Sequence, residues 1–130
     1  MNRRNYLKSM AAITAASAVP ASAAAAKPIQ LHCDLFVDPK REAEMLKNFE
    51  TIFRPTISKQ PGFVAVHLLK LRIERIGKAP AGSRFRLVIS FETEEQRVKW
   101  VEHDDHQRAW PTIERTLVEP KFTALLYDPQ

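Results

Sequence analysis

One stretch holds the densest chemistry in the chain: Trp100-x-x-His103-x-x-His106-x-x-x-Trp110. Imidazole changes charge near neutral pH, so a sheltered histidine can take a proton from a substrate as a general base. On a helix His106, Trp110, Ile113 and Leu117 fall at i, i+4, i+7 and i+11, which turns His106 inward beside an indole. Two readings fit that position, a proton acceptor or a core-edge histidine bonded to a backbone carbonyl. His103, three residues earlier, is placed to assist. Together the two could hold a metal with Glu102, Asp104 or Asp105, but no third ligand stands at a fixed spacing, so no metal site is expected. Trp100 and Trp110 either wall a pocket for a flat aromatic molecule or are plain core. His67 sits in the middle of an apolar run, and His32 and the Arg84/Arg86 pair read as strand residues outside any motif. Cys33 is the sole cysteine, which excludes an intramolecular disulfide; beside Ile29 and Leu35 it reads as a buried, inert thiol. There is no Gly-rich phosphate loop, nucleophile elbow or paired-carboxylate signature.

The elements that must position these residues follow from periodicity. Residues 29–37 alternate, with Ile29, Leu31, Cys33, Leu35 and Val37 on one face and Gln30, His32, Asp34 and Phe36 on the other, as in a half-buried strand. Asp38-Pro39 reads as a helix start, and Met45, Leu46, Phe49, Ile52, Phe53 and Ile57 then follow a helical period to a bend or end near Pro55. After the Gln60-Pro61-Gly62 turn, residues 63–73 are apolar on both faces and predict a strand covered on both sides. A loop over 77–83 leads to a third strand in which Phe85, Leu87, Ile89 and Phe91 alternate with polar residues. Thr93-Glu94-Glu95-Gln96 is a capping box for a second helix whose apolar side is Val98 and Val101. Asp104-Asp105 predicts a second cap, Pro111 falls near the first turn of the continuation, Pro120 ends it, and residues 122–127 form a last strand. The order β-α-β-β-α-β predicts an α+β, ferredoxin-like domain with an antiparallel sheet and both helices on one face.

Composition narrows the partners. With 130 residues, 45% hydrophobic and 27% charged, the chain has room for one ordinary globular domain. Its net charge of +5 is partly borrowed from the N-terminus. Arg3-Arg4, an Ala-rich run from Met10 to Val19, and Ala21-Ser22-Ala23 have the order of a signal peptide, and the paired arginines match the twin-arginine type. Residues 1–23 are therefore expected to be a bacterial export signal, and the mature protein periplasmic or secreted, with no membrane attachment after cleavage. That segment carries three basic residues and no acid, so the remainder is nearly neutral at +2. A charge that small does not suit nucleic acid, which needs a clustered basic face. A mature domain of this size has a marginal core, and Phe36 on the face away from the helices predicts a homodimer formed through the sheet.

The strand end Val37-Asp38-Pro39, the turn Gln60-Pro61-Gly62-Phe63, the run Ser90-Phe91-Glu92-Thr93-Glu94-Glu95 and the Trp100 to Trp110 stretch together resemble the antibiotic biosynthesis monooxygenase family. The resemblance spans nearly all of residues 28–130 and implies a dimeric α+β barrel, in which two ferredoxin-like sheets pair. It also implies a monooxygenase that oxidises a small aromatic phenol or quinol with dioxygen and needs no cofactor. His106 and His103 would then be catalytic, and Trp100, Trp110, Cys33 and His67 would bind substrate. A non-catalytic, ligand-binding or stress-associated homodimer is the alternative. Haem-degrading members resemble the chain at Trp100, but Trp110 stands where they carry a ligating His and Cys33 stands at or beside their strand Asn; His106 lies one turn before the ligand position.

Overall fold

The computed structural model describes residues 27–130, so the export signal read in residues 1–23 lies outside the described residues. Strand β1 (Ile29–Val37) leads through a 3-10 turn to helix α1 (Glu42–Asn48), a π turn (Phe49–Phe53) and helix α2 (Arg54–Ser58). Strands β2 (Phe63–Lys70) and β3 (Phe85–Phe91) follow, then helices α3 (Glu94–Glu102) and α4 (Asp104–Glu114) and strands β4 (Leu117–Phe122) and β5 (Leu125–Tyr127). The sheet runs β2-β3-β1-β4, with β5 also on β1 and every pairing antiparallel. This is the expected ferredoxin-like α+β fold.

The alternation of β1 and β3 sets the core. Cys33 faces Leu87 and Leu35 faces Phe85 across the ladder, and these side chains are buried beneath the helices. Met45, Phe49, Phe53 and Ile57 come down on them from the first helical segment. Complete burial of a side chain such as Leu35, Phe53 or Ile57 stabilises the fold by about 1.5–3 kcal/mol. Leu46, expected on that face, is instead exposed. Pro55 does not stop the helix. A proline ring clashes with the carbonyl four residues earlier, here Thr51, and the wider π turn over Phe49–Phe53 comes just before it, after which the helix runs on to Ser58. Gly62 has φ +81°, and a Cβ there would overlap the Gln96 carboxamide, so the turn before β2 needs glycine.

Five further expectations change. Strand β2 is the sheet edge and ends at Lys70; a bulge between Phe63 and Ala65 turns Val64 outward, and His67 and Leu69 are also exposed. Pro111 is well inside α4, where the Gln107 carbonyl loses its N–H partner. That helix ends at Glu114, so Leu117 and Pro120 belong to β4, whose edge position tolerates the proline. Phe36 is buried although it faces away from the helices, because the Lys121 ammonium lies 4.5 Å from its ring centroid and Gly82 packs alongside. The final strand is interrupted rather than single: Thr123 bridges β4 and β5 by exchanging hydrogen bonds with the Asp34 backbone through its N–H and its hydroxyl.

Candidate functional site

The Trp100 to Trp110 stretch is two helices, not one. Thr93 caps α3 by accepting from the Gln96 N–H, as the capping box predicts. The second cap is His103, not Asp104-Asp105: its backbone is extended (φ −78°, ψ 149°) and its Nδ1 accepts the Asp105 N–H at 2.9 Å. This break decides the site. On a continuous helix, residues six apart lie about 240° round the axis and point to different sides. With the chain re-aimed at His103, the Trp100 and His106 rings meet edge to face, centroids 4.9 Å apart. A buried Gln60 fixes the joint: its amide donates to Asp105 Oδ2 at 2.9 Å and to the Thr56 carbonyl. That hydrogen bond is the chief reason the Asp105 carboxyl lies below the usual carboxylate range.

Between these helices and the sheet lies a cavity of about 210 Å³. Leu31, Cys33, Leu87 and Ile89 of β1 and β3 form its floor. Four aromatic rings enclose it: Phe53 lies 6.1 Å from Trp100 and 6.3 Å from Trp110, and Phe122 lies 5.0 Å from Trp110. A cavity of about 150 Å³ holds benzene, so the space suits one substituted ring. A larger hollow of about 280 Å³ at the hairpin end of the sheet has the charged side chains of Asp34, Lys70, Arg84 and Arg86 in its wall and is more open to solvent.

His106 is on the cavity wall, and its Nδ1 is buried with no hydrogen-bond partner among the described residues. Burial holds its pKa below the ordinary histidine value, so the ring is neutral at pH 7. Cys33 lies on the floor, where burial above all, with some help from Asp34, pushes the thiol up to about 11, far from a nucleophile's range. Trp100 and Trp110 both line the cavity. His103 and His67 do not. His103 is an exposed cap whose Nδ1 is engaged, and His67 is on the far face of the edge strand.

Sequence reasoning missed Arg97. It lines the cavity while Val98, read as apolar helix face, is exposed. The signal was present, since Arg97 falls three and four residues before Trp100 and Val101 and so shares their side of α3. Its guanidinium forms a two-pronged ion pair with Glu94, at 2.6 and 2.7 Å. The hydrogen bond from Arg97 is the main reason the Glu94 carboxyl lies below its ordinary value.

Residues 28–111 match the antibiotic biosynthesis monooxygenase family, and the chain belongs to it. No curated protein matches the sequence. Among solved structures, a Bordetella bronchiseptica protein described as an antibiotic biosynthesis monooxygenase is similar at 24% identity and a TM-score of 0.65, covering 79% of this chain and 97% of its own. A variant of SnoaB, a cofactor-independent oxygenase from Streptomyces nogalater, is similar at 13% identity and a TM-score of 0.63, covering 79% and 93%. A dimeric ferredoxin-like protein of unknown function from a Jannaschia species is similar at 10% identity and a TM-score of 0.66, covering 79% and 100%. At these identities the likeness establishes the fold.

Proposed function

We propose that the protein is an oxygenase that oxidises a one-ring phenol or hydroquinone with dioxygen and needs no cofactor. The observation that carries this reading is the buried Nδ1 of His106, unpartnered among the described residues, on a cavity wall that is aromatic and aliphatic apart from Cys33 and Arg97. A buried polar atom left without a partner costs about 1–3 kcal/mol, and a ligand hydroxyl would recover that loss. In the reaction, His106 accepts the phenolic proton, and the phenolate then gives electrons to oxygen. For a phenol taken to a quinone, one oxygen atom enters the ring, the other leaves as water, and the ring supplies all four electrons. The protein's part is to hold the ring between Trp100 and Trp110, keep water out and take the proton.

The family and its dimeric neighbours also support a homodimer. The sheet face away from the helices leaves Leu69, Leu125 and Tyr127 about half exposed, which is the surface a second copy would cover. Export by the twin-arginine route rests on the sequence of residues 1–23 and would place this chemistry in the periplasm or outside the cell.

The test is oxygen uptake by the purified protein with a panel of substituted phenols and hydroquinones, product identity being read by mass. We expect uptake above the uncatalysed rate, with labelled oxygen in the product. Saturable binding of ring compounds with no uptake across the panel would make the protein a ligand-binding dimer instead.

A further inference from the structure

We propose that Arg97 makes the cavity selective for an aromatic ring that carries a carboxylate, so that the substrate is a phenolic acid rather than a neutral phenol. The inference rests on the oxygenase site described above and adds the chemical class of its substrate. Among the described residues Arg97 is the one with a permanent charge on the cavity wall, and none with a carboxylate side chain shares that wall with it. Its side chain is only 19% exposed. A guanidinium has five N–H donors in a planar fork and keeps its charge throughout the physiological pH range. Glu94 takes two of the five, through Nε and Nη2, leaving three without a partner among the hydrogen bonds of the described residues.

The rest of the wall has little to offer those donors. Leu31, Leu87, Ile89 and Val101 are aliphatic, and the thiol of Cys33 stays protonated, so it cannot neutralise the guanidinium. His106 is neutral and adds no second positive charge. A neutral ring has no charged acceptor to offer those donors. A ring carboxylate would accept from them in a charge-assisted, forked geometry. Glu94 offsets part of the guanidinium's charge through its two contacts, and the three donors it leaves are the ones a ring carboxylate would engage. The volume agrees, since one ring and one carboxylate fit within about 210 Å³.

The experiment is calorimetric titration of the purified full-length protein, without oxygen, with 4-hydroxybenzoate and with 4-hydroxybenzyl alcohol, its neutral near-isostere. The acid should bind about 10- to 100-fold more tightly, the range expected when a hydrogen bond gains a charged partner. Arg97→Gln should abolish that preference while keeping the alcohol's affinity, and Arg97→Lys should keep part of it. Glu94→Gln breaks the same ion pair but leaves the guanidinium, so it should keep the preference or increase it. Equal affinity for the two ligands in the wild type, or a preference that survives Arg97→Gln, overturns the inference. Oxygen uptake with neutral hydroquinones but no preference for the acid overturns it and leaves the oxygenase reading standing. Tight acid binding with no uptake on any phenol does the reverse.

Discussion

Each face of the sheet has a histidine whose pKa is lowered by burial, and the two differ in what surrounds them. On the face away from the helices His32 bonds to Gln30 Oε1 at 3.0 Å and lies edge-on to Tyr127, 4.8 Å between centroids. Arg86 adds to the lowering of its pKa and is itself paired with Asp34 at 3.0 Å. Every one of these groups has a neighbour across the strands. On the helix-covered face His106 has two indoles and, among the described residues, no partner for Nδ1. The contrast shows how one residue type acquires different uses. On the open face polar side chains satisfy one another, whereas under the helices an unsatisfied atom is left for a molecule that enters.

The sharpest way to break this comparison is to remove each histidine in turn. His106→Ala should lower turnover by about 10²–10⁴-fold, the usual contribution of a general base, with little change in KM. His32→Ala should leave the initial rate of oxygen uptake within about twofold, since no proton of the reaction reaches it. Equal losses, or a folded His106→Ala protein with wild-type turnover, would remove the distinction between the faces.

Stability should divide along the same line. Trp100→Ala opens a void among Phe53, His106 and the floor of the cavity and should cost about 3–5 kcal/mol in urea unfolding. His67→Ala, on the exposed edge strand, should stay within about 0.5 kcal/mol. A comparable cost at both positions would mean that the open face is as well packed as the covered one.

The smallest effect is a slope. Because burial lowers the pKa of folded His106, the unfolded chain takes up its proton first as pH falls below about 6.5. Unfolding free energy therefore declines with falling pH, from the unfolded-state pKa down to the folded one, where the contribution levels off. His106→Leu should flatten that acid limb in denaturation measured from pH 7 to 5. His32→Gln should flatten it less, because its ring is the more hydrated of the two.

The fold was largely legible in the chain because period-two and helical patterns are enforced locally. Strand alternation in 29–37 and 85–91 and the cap at Thr93 appear in the structure where the residues predict them. What was not legible depended on contacts between distant segments. Phe36 is covered by Lys121 and Gly82, and no local pattern announces that cover. Pro120 suits a helix stop and an edge strand equally well until the sheet order is known. In the site, residue type singled out the tryptophans and His106. It misled at Arg97 and Val98, where hydrophobicity predicts the reverse of the observed facing.

By itself the sequence determined the elements, their order and the rings that gather near one helix turn, because a residue's backbone preference and its place in a repeat depend on near neighbours. It also carried the family, through short runs such as Gln60-Pro61-Gly62-Phe63. Only the tertiary structure decided that the helix breaks at His103 and not one residue later, and that Trp100 therefore meets His106. It alone left Nδ1 of that histidine without a partner and turned Arg97 inward while Val98 faces solvent. The physical reason is that a side chain's solvation is a property of everything packed around it. Gln60, Phe53, Leu31 and Phe122 come from four separate parts of the chain, and together they seal or anchor the place where a proton can be taken.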